Sequence, residues 1–210
     1  MCIDEAPARL HFPEALILHW NGTRWREVRS PIHGLCVLES VAAVSARDAW
    51  AVGYGADTSH PLILHWNGTR WRQAAAPTVP GGSILHGAAA ASSRSAWAVG
   101  STDKGRFLIL RWNGSSWARS ASPVPGDRAA LDGAAALSAD NAWAVGNTGK
   151  GRTFILHWNG ARWSQVPSPS PQPGSGLYGV AATSARSAWA AGEDLIVRWN
   201  GIAWTLNTGS

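Results

Sequence analysis

The chain has 210 residues, 45% of them hydrophobic and 15% charged, which is enough apolar material for a buried core and excludes a disordered or collagenous polymer. Eighteen Lys and Arg against thirteen Asp and Glu leave a formal charge of +5, which bears on solubility and partners rather than fold. Two cysteines, Cys2 and Cys36, are too few for a disulfide framework or a four-ligand zinc site.

Residues 1–14, MCIDEAPARLHFPE, carry acids and prolines where a signal peptide needs a continuous apolar stretch. No run approaches the ~18–20 apolar residues of a membrane-spanning helix, so no membrane insertion is expected. After this segment the sequence becomes an array. His/Arg-Trp-Asn-Gly recurs with Trp20, Trp66, Trp112, Trp158 and Trp199, at spacings of 46, 46, 46 and 41 residues. Ala-Trp-Ala followed by Val-Gly or Ala-Gly places Trp50, Trp97, Trp143 and Trp189 between them. Trp25, Trp71, Trp117, Trp163 and Trp204 lie five residues after each member of the first series. All fourteen tryptophans therefore occupy three repeated positions, which makes them scaffold before anything else.

The elements are predicted in chain order as a two-strand hairpin at 15–29, then four-strand units at about 35–77, 83–123, 129–168 and 176–206. Within a unit the first strand is small and apolar (as Leu177 to Thr183) and the second is the Ala-Trp-Ala segment (as Ser187 to Gly192). The third is aliphatic (as Leu62 to Trp66), and the fourth runs from the last tryptophan (as Trp71 to Ala74) into a Pro-rich loop. Asn-Gly joins the third strand to the fourth every time, which predicts a two-residue type I′ turn with positive φ at both residues. A four-stranded antiparallel unit repeated without long linkers predicts an all-β fold. The expectation is a β-propeller of about five blades with an incomplete N-terminal blade, one domain over 15–210. Small first strands such as Ala88-Ala89-Ala90 and Ala134-Ala135-Ala136 are expected to line a central channel, with tryptophans packed between blades. A closed ring is expected, because an unpaired sheet edge is a liability; oligomerisation or a partner that completes the ring is the alternative.

The order of small apolar strand, Ala-Trp-Ala-Val-Gly, variable loop, Leu-Ile-Leu-His-Trp-Asn-Gly-x-x-Trp and then Ser-Pro resembles the repeats of bacterial kelch-like and Asp-box-like propellers. Galactose oxidase shares that central architecture and adds a copper site. Here Tyr54 and Tyr178 are the only tyrosines and Cys36 has no clear Tyr partner, so neither copper nor another cofactor is implied. The resemblance implies a binding platform, lectin or adhesion module, occasionally an enzyme; it points to an extracytoplasmic location, the absent signal segment points the other way unless the true start lies upstream, and the location is left open.

Comparing the units with one another separates scaffold from candidate site. Eleven residues before each Ala-Trp-Ala tryptophan stand Glu39, His86, Asp132 and Tyr178, four different polar side chains at one position, each preceded by Leu. Strand alternation turns the Leu and the polar residue to opposite faces, which predicts a polar ring at the channel mouth. The loops joining second to third strands add Asp57, His60, Asp103, Arg106, Lys150 and Arg152. These ten are the expected contacts to a glycan or protein ligand. A glycosidase with Glu39 and Asp132 as its two carboxylates is the enzymatic alternative, and a propeller fragment with no independent role is a third reading. His19, His65 and His157 recur at one place on separate units and are not expected to share a metal ion. The sequon-like Asn21-Gly22-Thr23 and its repeats are attributed to turn chemistry. Arginines that follow the repeat, such as Arg24, Arg70 and Arg162, argue against a nucleic-acid face.

Overall fold

The structure is a computed structural model that describes residues 15–123, 128–172 and 174–207. The described residues form eighteen β-strands and no helix. β1 (Ile17–Trp20) and β2 (Trp25–Val28) make a two-stranded unit. Blade A comprises β3 (Cys36–Ser45), β4 (Asp48–Gly55), β5 (Leu62–Trp66) and β6 (Trp71–Gln73). Blade B comprises β7 (Ser83–Ser92), β8 (Ser95–Thr102), β9 (Phe107–Trp112) and β10 (Trp117–Arg119). Blade C comprises β11 (Ala129–Ser138), β12 (Asn141–Thr148), β13 (Thr153–Trp158) and β14 (Trp163–Val166). Blade D comprises β15 (Leu177–Ser184), β16 (Ser187–Gly192), β17 (Ile196–Trp199) and β18 (Trp204–Leu206). Each sheet is an antiparallel meander, and each of the strands predicted by example begins at the expected residue.

The Asn-Gly turns differ from expectation. Trp66 pairs directly with Trp71, and the same holds for Trp20 with Trp25 and Trp158 with Trp163. Four residues, not two, therefore lie between the strands. Among the described residues none other than glycine has positive φ; Gly68 supplies it at +92°. Asn67 instead uses its Oδ1 to accept hydrogen bonds from the amides of Thr69 (3.1 Å) and Arg70 (3.0 Å), a side-chain turn of the Asx kind. The same bonds form around Asn159 and Asn200, where Ala161 and Ile202 replace the hydroxyl residue. Turn chemistry accounts for the asparagines without the sequon.

Alternation along the second strand decides where the core lies. Ala96 and Ala98 face blade A together with Leu108 and Leu110, whereas Trp97 and Val99 face blade C together with Ile109. The hydrophobic effect is therefore exercised between sheets rather than within one. Trp50, Val52 and Ile63 of A pack on Leu85, Leu108 and Trp117 of B, and Trp143, Val145 and Ile155 of C pack on Leu177, Val197 and Trp204 of D. The second-strand tryptophans of blades A, B and C each meet two from the following blade. Trp50 lies 4.9 Å from Trp112 and 5.0 Å from Trp117, Trp97 at the same distances from Trp158 and Trp163, and Trp143 5.2 Å from both Trp199 and Trp204. Burying one such ring is worth roughly 2–3 kcal/mol.

The recurring histidine covers the same tryptophan within its own blade. His65 stacks on Trp50 at 4.3 Å and His157 lies 4.2 Å from Trp143, while Arg111 places its guanidinium 5.2 Å from the Trp97 ring. Each histidine also hydrogen-bonds the first residue of the second strand, His65 Nε2 to Asp48 at 2.9 Å and His157 Nε2 to Asn141 at 3.0 Å. These contacts assign the position to packing, on separate blades.

The inner strands stand in the order β3, β7, β11, β15, but the row does not close into the expected ring. On blade D, Trp189 is 38% and Ile196 46% exposed, although their counterparts Trp97 and Ile109 are at 0% and 1%. At the other end Leu18, Trp20 and Trp25 are exposed as well. The reason is that β1–β2 has, among the described residues, no inner strands to set beside β15.

Candidate functional site

Every inner strand carries a β-bulge at the same place. Its pairing with the second strand jumps from Leu38 to Ser40, Leu85 to Gly87, Leu131 to Gly133 and Leu177 to Gly179. The residues left out of the ladder are Glu39, His86, Asp132 and Tyr178, the four variable polar positions. A bulge adds a residue to one strand and re-aims its side chain. Leu85, Leu131 and Leu177 are fully buried, while His86 and Asp132 are half-buried and Glu39 and Tyr178 exposed.

The glycine of Ala-Val-Gly is a consequence of the bulge. A Cβ on Gly53, Gly100, Gly146 or Gly192 would overlap the backbone carbonyl of Val37, Ile84, Ala130 or Gly176 on the bulged strand. The residue after the bulge is small for a different reason, because it meets the next blade. A Cβ on Gly87 would stand 2.9 Å from the Asp132 carbonyl oxygen, and one on Gly133 2.8 Å from that of Tyr178. Ser40, at the corresponding place on blade A, accepts a hydrogen bond from the Ala88 amide (3.1 Å). Bulge residues of neighbouring blades are thus brought side by side.

On blades B, C and D they form one polar surface. Asn147 Nδ2 donates to Asp132 Oδ2 at 3.0 Å, and His86 Nε2 lies 3.4 Å from Ser101 Oγ. The Tyr178 hydroxyl and the Asn147 amide both approach Gly176, at 3.5 and 3.6 Å from where its Cβ would stand. Burial pushes the Asp132 carboxyl above its ordinary value, against the opposing pull of nearby His86 and of the Asn147 hydrogen bond. A raised carboxyl pKa means that the folded protein binds the proton more tightly than the unfolded chain, so this group costs stability once the pH exceeds its folded-state pKa. Asp132→Asn is therefore expected to raise the urea midpoint at pH 7, with the advantage shrinking to nothing below about pH 3.8, the carboxyl's ordinary value; an equal shift at both pH values would refute the assignment.

Ser101 and Asn147 were not singled out from the sequence. They follow the Val-Gly of their blades, where Tyr54 and Glu193 stand in A and D, and they pair across from Ile84 and Ala130 beside the bulge. Their variability at a fixed position is the signal that marks them.

The second-to-third-strand loops sit at the same end as the bulges. In blade A, His60 Nδ1 lies 3.0 Å from both Asp57 Oδ2 and Ser59 Oγ, and its Nε2 3.2 Å from Thr78 Oγ1. The Ser59 hydroxyl, then His60 and the Ser59 amide, hold Asp57 down to about 2. Asp57 and His60 line a cleft with Ile32, His33 and Leu35, away from Asp132. The loops of blades B and C are two copies of one turn. Thr102 exchanges backbone bonds with Arg106 and Gly105, and Thr148 does so with Arg152 and Gly151, which accounts for Thr-x-Lys-Gly-Arg in both. Within these turns Asp103 lies over Gly82, and Arg106 lines a cleft with Arg119 and Ser122. Glu39 is set apart at the start of the row, in a cleft with Leu16, Leu18, Leu38 and Trp71. The strand bearing His86 stands between it and Asp132.

No protein-family model and no curated protein sequence matches the chain. Several solved structures resemble it. SapL1 lectin in complex with α-methyl fucoside aligns at TM-score 0.65 and 15% identity, over 91% of this chain and 71% of that one. The fucose-specific lectin from Aleuria aurantia, a six-bladed β-propeller, aligns at 0.63 and 13% over 91% and 69%. The fold is that of a β-propeller. YCF48 from Cyanidioschyzon merolae aligns at 0.57 and 19%, over 92% and 66%. In each blade the bulge residue and the second-to-third-strand loop lie at the same end of the inner strands, while the Asn-Gly turn joins the two outer strands.

Proposed function

We propose that this chain is a non-enzymatic propeller module that binds a glycan at the channel mouth. His86, Asp132, Asn147 and Tyr178 form the centre of the site, and Glu39, Asp57, His60, Asp103, Arg106, Lys150 and Arg152 flank it. The observation that carries this reading is the set of bulges. They present four chemically different side chains at one structural position while the surrounding residues repeat. A carboxylate and amide offer hydrogen bonds to sugar hydroxyls, and the exposed ring of Tyr178 offers a flat face. The likeness in fold to lectins that bind fucosides supports the choice of a glycan. The kelch-like and Asp-box-like character of the repeat belongs to the same proposal, supported by the order of its strand motifs.

The test is a glycan array followed by titration calorimetry, with α-methyl fucoside as the first probe. Tyr178→Ala and His86→Ala, both at positions outside the packed cores, are expected to weaken binding about tenfold each with an unchanged unfolding transition, as loss of one good contact would. Unaltered affinity in both variants would move the site elsewhere. Hydrolysis of a nitrophenyl glycoside, lost in both Glu39→Gln and Asp132→Asn, would replace the proposal with the glycosidase. Peptide binding without glycan binding would replace it with a protein-recognition module.

A further inference from the structure

The inner strands of neighbouring blades run in one direction and at one level, since a Cβ on Gly87 would meet Asp132 and Gly133, and one on Gly133 would meet Tyr178 and Gly179. Equivalent turns therefore emerge at one end of the molecule, and recurrence along the sequence becomes clustering on a face. At the end away from the bulges, the turn between first and second strands packs on the Asn-Gly turn of its own blade. A Cβ on Gly68 would stand 2.9 Å from Arg47, one on Gly114 3.2 Å from Arg94 and one on Gly201 3.0 Å from Arg186. Arg70 and Arg162 close the Asn-Gly turns of blades A and C. These arginines are exposed, and among the described residues no ion pair engages their guanidiniums. Two carboxylates share that end: Asp48, which His65 holds at 2.9 Å, and Asp140. At the bulge end stand Glu39, Asp57, Asp103, Asp132, Glu193 and Asp194, interspersed with basic groups, so the positive excess of the chain gathers at the other. Beside Arg186, the turn from Asn200 to Ala203 raises Ile202, which at 86% is the most exposed large hydrophobic side chain described.

We propose that this face docks the protein on an anionic lipid surface, with headgroup phosphates on Arg47, Arg70, Arg94, Arg162 and Arg186 and the Ile202 side chain in the boundary between headgroups and acyl chains. The choice of basic residue fits phosphate. Both lysines, Lys104 and Lys150, stand in the loops at the bulge end, whereas the docking face is built from guanidiniums, whose fork takes two phosphate oxygens at once. The spacing fits a surface. One or two arginines per blade, spread over one end of the molecule, match many separate headgroups in a plane, and the attraction of each for the negative surface adds to that of the others. A nucleic-acid strand asks instead for consecutive phosphates along a track and has no place for an exposed aliphatic tip, which the edge of a bilayer accepts. Attachment of this kind is peripheral, and no helix of the described residues is long and apolar enough to cross a membrane. Docked so, the protein turns its bulge end away from the lipid. The inference holds whether or not that end binds a glycan.

The test is co-sedimentation of the full chain with vesicles of phosphatidylglycerol and phosphatidylcholine in equal parts, against vesicles of phosphatidylcholine alone. Binding is expected to the first and not to the second, and it falls steeply as salt rises from about 50 to about 500 mM. Arg47→Gln combined with Arg70→Gln is expected to weaken it at least about tenfold, and Ile202→Ser about threefold. Arg119→Gln combined with Arg128→Gln removes the same charge near Gly105 and Arg106, at the bulge end, and is expected to change binding by less than about twofold. All the substituted residues are exposed, so the variants are expected to unfold at the parental denaturant concentration, which separates a lost face from a lost fold. Equal sedimentation with neutral vesicles, equal losses from the two arginine pairs, or indifference to Ile202→Ser overturns the proposal. So does tighter binding to a short DNA duplex than to the anionic vesicles at the same salt, which would make nucleic acid the occupant.

Discussion

Trp97→Ala is expected to cost about 3–5 kcal/mol of unfolding free energy, while Trp189→Ala, at the same place in the repeat, costs about 1 kcal/mol or less. The difference lies in the neighbours. Trp97 is wholly buried, with Trp158 and Trp163 about 5 Å away on one side and the Arg111 guanidinium on the other. Removing it leaves a cavity between two β-sheets that cannot collapse without moving a blade. Trp189 has Arg198 over its ring at 5.3 Å and is 38% exposed. Against a total stability of about 5–15 kcal/mol for a domain of this kind, the first change threatens folding and the second does not. Urea unfolding of the two variants against the parent measures this. Similar losses would mean that Trp189 is covered in solution and that the arc closes.

Gly100→Ala adds a single methyl group, yet it is expected to destabilise by about 3 kcal/mol or more, the upper end of overpacking costs. A glycine in a strand interior is ordinarily a weakness that alanine repairs. Here the sign reverses, since the new methyl group would occupy the space of the Ile84 carbonyl oxygen, which the bulge drives towards β8. That obstacle is backbone, so it cannot rotate away. Gly179→Ala is the control, with open space where its Cβ would stand. Thermal unfolding of both variants distinguishes the bulge from a general intolerance of alanine in these strands; a stabilised Gly100→Ala protein would contradict the register.

Much of this architecture is legible in the sequence because it depends on side chains that recur. The tryptophans are few in kind and strict in spacing, and packing between units is the arrangement that buries three series of large rings at once. What escaped depends on backbone. Asn-Gly suits a two-residue turn and a four-residue turn equally well; the facing pair Trp66 and Trp71 selects the second. The bulge beside Leu131 has no side-chain signature of its own, only the glycine opposite, which serves the fold rather than the ligand. Hence Asp132 was found by its variability, whereas Asn147, its hydrogen-bond partner from the neighbouring strand, was not. The loops of blades B and C looked variable as strings, although Thr102 to Arg106 and Thr148 to Arg152 close by the same bonds.

The bulge also takes its residue out of the ladder pairing. Leu131 before it fills the core, Gly133 after it seats the next blade, and Gly146 opposite it makes room, so the burden of folding falls on the neighbours. Mutation can therefore rewrite position 132 and its equivalents at little cost to the scaffold, and duplication of the unit copies a fresh, independently adjustable letter each time. Such a repeat keeps a freely variable position inside a fixed architecture, so that one can drift while the other stays.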